Sequence, residues 1–187
     1  MKLELTKNDE SFDEILFISR GLTTQKDEYR HHVTRVRKDK DTFISTNGAR
    51  LHVYDHEGRF NGLDDGYYEV IKSTLNRVVL LFDKPLDEAH YPDCEDLISI
   101  RLDFPQDTFN VSTGHGVDVS KAYTDIVRNM QPENKTVKPE STNYLKYSYV
   151  QEALRSDQVF EVYNEHENKA VYLKSENLLA VIMQERG

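Results

Sequence analysis

The side chains best able to do chemistry in this 187-residue chain are seven histidines, 33 Asp and Glu, and one cysteine. They fall into three local groups: His31-His32, Tyr54-Asp55-His56-Glu57, and His90-Tyr91-Pro92-Asp93-Cys94-Glu95-Asp96. Adjacent histidines in a strand point to opposite faces, so His31 and His32 cannot easily share a metal. Neither acidic group carries a His-x-x-x-His helix or a paired-Cys motif, and both read as solvated loops. Cys94 lies among Asp93, Glu95 and Asp96, whose field opposes thiolate formation. No Gly-x-Ser-x-Gly elbow occurs. Thr113-Gly114-His115-Gly116 reads as a flexible tip without the strand and helix that a phosphate cradle needs. These residues predict no catalytic set, no metal and no cofactor. A small hydrolase or metal enzyme built on the His/Asp-rich loops is a lesser alternative.

Basic residues cluster once, at Arg30, Arg35, Arg37, Lys38 and Lys40 beside His31 and His32. Arg35 and Arg37 share one strand face, either as an exposed surface or as a phosphate contact if other cations join them. Overall, 24 Lys and Arg stand against 33 acids, a formal charge of −9. A uniformly basic nucleic-acid binder would look different, although a total does not exclude a local basic face. No apolar run approaches membrane-spanning length, and the N-terminus lacks an apolar signal region; a cytoplasmic protein is expected.

The elements that must position these residues follow from periodicity. Lys2–Leu5 alternates as a strand. Residues 11–21 carry apolar residues at helical spacing, behind Asp9-Glu10-Ser11 as a helix start. From His31 the period becomes two, giving strands to Arg37, over 42–46 and over 51–54. Asn47-Gly48 can supply positive backbone dihedrals for the intervening turn. Residues 67–71 and 77–82 form a further strand pair. Between Asp83 and Asp107 there are eight acids and two bases, with Ile98–Leu102 and Thr108–Ser112 as candidate strands. Val119 to Met130 is an apolar stripe at helical spacing after Asp118, and 131–140 is a polar linker. Ser141-Thr142-Asn143 can cap a last helix, which precedes strands at 159–163, 170–173 and 178–183. The class is α+β: two helix-plus-antiparallel-strand halves, about 1–82 and 105–187, in a single domain spanning 1–187, with an acidic irregular segment at 83–104.

One segment carries a resemblance. Thr46-Asn47-Gly48-Ala49-Arg50-Leu51-His52-Val53 resembles the Thr-Asp-Gly-His-Arg-Leu-Ala-Val stretch of the bacterial DNA polymerase III beta subunit, the sliding clamp. Tyr91 to Ile98 is similar to the Phe-Pro-Asp segment that closes a clamp domain. Asn143-Tyr144-Leu145 is similar to the opening of the clamp's last helix. Ala180 to Arg186 resembles its closing Val-Val-Met-Pro-Met-Arg. These matches keep their order and span about two-thirds of the chain.

The resemblance implies a DNA-clamp-like fold with sheets outside and helices facing DNA. It implies a non-enzymatic protein for DNA tethering or for scaffolding replication partners. By position, Thr46, Gly48, Arg50 and Leu51 would form one wall of a peptide-binding groove, and Val181, Met183 and Arg186 the other. Leu51 and Val181 read equally well as core positions. Arg20, Lys121, Arg128, Lys146 and Arg155 would face DNA, bound without sequence preference if a ring forms. Ala49 stands where the family has His, and Gln184-Glu185 where it has Pro-Met. A family clamp has three domains per chain, so a ring here would need a homo-oligomer. The alternative is a monomeric module that binds a peptide or protein on the same fold.

Overall fold

Alternation along KLELT makes the first strand, β1 (Lys2–Thr6), with Leu3 and Leu5 turned toward the core. The structure, a computed structural model, describes residues 1–22, 31–86, 94–99, 108–112, 119–129, 143–154, 159–165 and 170–186. Helix α1 (Phe12–Arg20) buries Phe12, Ile15, Leu16, Phe17 and Ile18. It starts behind Ser11, whose φ is 64° and whose side chain caps nothing. The acids before it act one step earlier: Asp9 Oδ2 accepts from Thr6 N at 2.6 Å and Thr6 Oγ1 at 2.8 Å.

Three antiparallel strands follow, β2 (Arg35–Asp39), β3 (Thr42–Thr46) and β4 (Arg50–Asp55), then the hairpin β5 (Gly66–Thr74) and β6 (Arg77–Pro85). Beyond them come α2 (Glu95–Ser99), β7 (Phe109–Ser112), α3 (Val119–Asn129), β8 (Asn143–Tyr144) and α4 (Tyr147–Ala153). The chain ends with β9 (Val159–Glu165), β10 (Ala170–Lys174), β11 (Leu178–Met183) and β12 (Glu185–Arg186).

Three local expectations are corrected. The backbone of His31–Thr34 is a 3-10 turn, so the strand begins only at Arg35. Cys94 to Ser99 is not strand-like: Ile98 N donates to Cys94 O, closing a helical turn where a strand was expected from Ile98. Asn143 does not cap the last helix; it pairs with Arg186 in the β8–β12 ladder, and α4 starts after Lys146. Asp118, residues 131–140, and His90 to Asp93 lie outside the described residues.

Ten strands join in one antiparallel sheet, ordered β1-β6-β5-β2-β3-β4-β11-β10-β9-β7. The first strand of the chain is thus one edge and β7 the other. The two runs of the chain meet at β4 and β11, where Val53 pairs with Leu179 and Leu51 with Val181. One sheet face carries α1 and α4, which touch each other, with α3 against α4. Its core includes Phe17, Phe43, Tyr54, Leu80, Ile126, Phe160 and Leu173. The opposite face holds a smaller cluster of Ile44, Leu51, Val53, Ala170, Tyr172, Leu179 and Val181, with Cys94 of the α2 segment over it. The α+β class and the antiparallel strand pairs are as the sequence predicts. No described helix is long and apolar enough to cross a membrane.

The carbonyl end of α1 is tied to the sheet by side chains of β3 and β4. Ser45 Oγ donates to Ile18 O at 2.6 Å, and His52 Nδ1 donates to Phe17 O at 2.8 Å. Gly21 closes this contact. A Cβ there would stand 2.1 Å from Ser45 Oγ and 3.1 Å from His52 Cβ, so the approach needs glycine.

His52 is fully buried and stacked on Phe17 at 4.2 Å, and its Nε2 has no partner among the described residues. Protonation would place a buried N–H with nothing among the described residues to accept it. Burial, with the nearby Arg50 charge, pushes its pKa down to about 3. The unfolded chain therefore binds a proton near pH 6.5 that the folded chain refuses. Stability from this group is complete above pH 6.5 and falls as pH drops toward 3. Urea denaturation at pH 8 and pH 5 should show about 2 kcal/mol of acid-dependent loss from this group. His52→Gln, which keeps a donor toward Phe17 O but does not titrate, should lose that much less stability over the same interval. An identical pH dependence in both chains would refute the assignment.

Candidate functional site

The two segments that carry the resemblance are about 130 residues apart in sequence and hydrogen-bonded neighbours in space. The β3–β4 turn is built by its own side chains. Asn47 Oδ1 accepts from the backbone N–H of Ala49 and of Arg50, each at 3.0 Å. Thr46 Oγ1 donates to Arg50 O at 2.7 Å and accepts from Gly48 N at 3.1 Å. Gly48 takes φ 86°, where a side chain would be strained, and the position has open space around it. Of the Asn47-Gly48 pair, the positive dihedral falls on Gly48 alone.

From this turn the chain enters β4 beside β11. Leu51 pairs with Val181, Arg50 with Ile182, and Met183 N donates to Ala49 O at 2.9 Å. Leu51 and Val181 are buried on the face away from α1 and α4, with Met183 packed at the margin of the same cluster. Thr46 follows Ile44 by two positions on β3 and so shares that face. Four of the seven expected groove residues (Thr46, Leu51, Val181 and Met183) therefore lie together, beside the Gly48 turn. Arg186 lies in β12, where its backbone pairs with Asn143.

Arg50 is different. Strand alternation turns it to the helical face, where it is 7% exposed. Its guanidinium pairs with Glu152, donates to Leu22 O at 3.3 Å, and lies 4.4 Å from the centre of the Tyr149 ring. Asn47 Nδ2 donates to Tyr149 Oη at 3.2 Å. Arg50 thus fastens α4 and the end of α1 to the hairpin, and it forms no wall of the opposite face. Sequence reasoning missed Glu152 and Tyr149 as its partners. Their helical spacing of three was visible, but nothing local tied them to a hairpin 100 residues earlier.

The basic stretch is not a free cationic surface. Arg35 Nε reaches Asp83 at 3.1 Å and Arg37 reaches Asp39 at 2.6 Å. Lys38 is buried at 2% exposure, with its ammonium on Asp65 Oδ1 at 2.7 Å and Lys40 O at 2.9 Å. That ammonium holds the Asp65 carboxyl below its usual range. The phosphate reading fails for Arg35, Arg37 and Lys38, because each already has a carboxylate; Arg30 lies outside the described residues.

Nor is the Tyr54-Asp55-His56-Glu57 group a solvated loop. Tyr54 and His56 are fully buried with Phe43 and Phe60, and His56 Nε2 donates to Lys40 O at 3.0 Å. Burial lowers the His56 pKa. Among the described residues no group of three His, Cys, Asp or Glu could hold a metal.

Of the residues expected to face DNA, Lys121, Arg128 and Lys146 are exposed on or beside α3 and α4, and Arg20 is half-buried at the end of α1. Arg155 lies outside the described residues. Arg128 is 4.0 Å from Asp125, and Lys146 lies over the Tyr149 ring at 4.6 Å. On the same helices stand Asp13, Glu14, Asp125 and Glu152, so cations and acids match four to four.

No protein-family model matches the chain, and no curated protein matches it. Solved structures do. A DNA polymerase III beta subunit from Eubacterium rectale matches over 99% of this chain and 65% of its own, at 11% identity and a TM-score of 0.50. The DNA polymerase III beta subunit of Thermotoga maritima and the DNA polymerase sliding clamp of Bacillus subtilis match over the whole chain, at 10% and 12% identity, each with a TM-score of 0.48. The chain spans less than two thirds of the length of each. The Eubacterium match establishes the fold as that of the sliding clamps, the fold the resemblance implied.

Glu152→Ala leaves the buried Arg50 guanidinium without its carboxylate and should cost about 2 kcal/mol in chemical denaturation. Glu14→Ala, on a half-buried side chain of α1, should cost under about 0.5 kcal/mol. Equal effects would show that Arg50 is not the fastening point.

Proposed function

We propose that this chain is a non-catalytic clamp-fold protein that gathers short peptides of replication proteins on its outer sheet face. The single observation carrying this reading is the Leu51–Val181 register, which sets two separately resembling segments side by side on the matching fold. Thr46, Gly48 and Leu51 form one side of the face, and Val181 and Met183 the other, with Arg186 closing it through β12. Short apolar side chains beside an adaptable methionine suit a peptide groove. The halves at about 1–82 and 105–187 are the two units of one domain. Their strands run outward from the β4–β11 seam as β3-β2 and β10-β9, which supports this division.

DNA enters the proposal through assembly. Lys121, Arg128, Lys146, Arg155 and Arg20 are too few to hold DNA by charge alone, so several chains would have to enclose it as a homo-oligomer. The balanced charge of the described helices favours the second reading, a monomeric peptide-binding module.

Light scattering with binding to circular and linearised DNA separates the two. The ring reading expects an oligomer that is retained on circular DNA and runs off linear DNA, with a salt slope no steeper than about −4.5 per chain. A monomer without DNA affinity leaves the module alone. For the peptide face, Met183→Ala is the informative substitution. Leu51→Ala would itself cost about 2–5 kcal/mol of folding, whereas Met183 is only partly buried. Met183→Ala should weaken binding of a replication-protein peptide at least tenfold with stability nearly unchanged. Unaltered peptide affinity in that variant would refute the face.

A further inference from the structure

The outer face is not bare. Cys94 is 8% exposed within the cluster of Ile44, Leu51, Val53, Tyr172 and Val181, and Leu97 and Ile98 pack against the same cluster. These three residues stand at i, i+3 and i+4 along one turn, so α2 and the residue before it present a single apolar stripe to the sheet. Asp96 and Ser99 lie on the solvent side. With five residues, α2 is far shorter than a helix that persists alone, so its conformation depends on the docking. Segments with few buried apolar contacts open at a lower free energy than the fold as a whole.

We infer that α2 is the chain's own occupant of the peptide face, held there in cis until a partner segment displaces it. The inference rests on the reading of that face under Proposed function, and it adds the chemistry of the partner. The displacing segment is a single helical turn with aliphatic residues at i, i+3 and i+4 and acids on its outer side. Cys94 belongs to the same apolar cluster as Leu51, Val53, Tyr172 and Val181, with Leu97 and Ile98 packed against it, and any segment with the same stripe meets the same surface. Partner binding is then an exchange of one short helix for another. Its apparent affinity is reduced by the fraction of chains in which α2 is seated.

Cys94, the chain's single cysteine, reports the seating directly. The full chain is treated with a thiol-reactive disulfide reagent, alone and with a synthetic peptide of residues 93–100 carrying Cys94→Ser. In the wild-type chain, labelling should be slow and should accelerate at least tenfold at saturating peptide, because the peptide displaces α2. In Leu97→Ser/Ile98→Ser, labelling should be fast without peptide. That variant should also bind the labelled peptide at least tenfold more tightly than wild type. Cooperative thermal unfolding checks that it is folded, and the wild-type peptide titration stands without it.

Labelling that peptide does not accelerate, or equal peptide affinity in both chains, overturns the inference and leaves the face open to other peptides. Fast labelling of the variant with no peptide bound by either chain overturns both the inference and the peptide reading of the face.

Discussion

The fold depends on how the carbonyl end of one short helix is received by the sheet. The last turn of α1 leaves carbonyls without intrahelical partners. Three side chains of one hairpin donate to carbonyls at this end and just past it: Ser45 to Ile18 O, which also accepts from Gly21 N, His52 to Phe17 O, and Arg50 to Leu22 O beyond the helix. Each donor is buried, so each bond forms where water cannot replace it and where losing it is costly. Arg50 extends the same contact to Glu152 and Tyr149 of α4. One hairpin thus orients both helices against the sheet, and the place of α3 against α4 follows from theirs.

Strand periodicity gives that hairpin a second duty. On β4, Arg50, His52 and Tyr54 face the helices, while Leu51 and Val53 face the other way beside Leu179 and Val181. A one-residue slip would exchange a polar dock for an apolar face, so the register is fixed from both sides. The Asn47 side chain and Gly48 set where the strand starts, which fixes that register at its origin. The proposed peptide face is therefore held in place by the interactions that seat the helices. This also explains why a motif can resemble a binding segment while several of its residues serve the fold.

That division of labour decides what the sequence makes legible. Leu51, Val181 and Met183 could be picked out because the two segments resemble a known pattern at both ends of the chain, and the structure sets them in register. The role of Arg50 was not legible, since its partners lie on a helix 100 residues away. His56 was read as part of a solvated loop, but packed against Phe60 it is a neutral core group, as His52 is against Phe17. The basic stretch misled for the same reason: Asp65 and Asp83, which pair with it, come from β5's approach and from β6. Short-range pattern locates strands and helices well; it does not say which charge meets which. Ile98 was expected to open a strand because Ile98, Ile100 and Leu102 alternate with polar residues, but Ile98 and Ser99 belong to the α2 turn.

Charge then limits what this fold can do with DNA. The chain carries −9 overall, yet the outcome depends on the helical layer, where the described cations and acids match four to four. Two of those acids are engaged, Glu152 by Arg50 and Asp125 near Arg128, which leaves Lys121 and Lys146 as the cations most available to phosphates. Two such contacts release too few counterions to bind DNA tightly at physiological salt. Weak contact is a defect in a protein that must hold one site, but a requirement in one that must move along a duplex. It serves only if the duplex cannot leave sideways, and the sheet of the described residues ends at two edges, β1 and β7, without closing on itself. For this sequence a DNA role and self-assembly are therefore one question: if the chain stays single, the charge on its helices leaves the outer face as the part with something to bind.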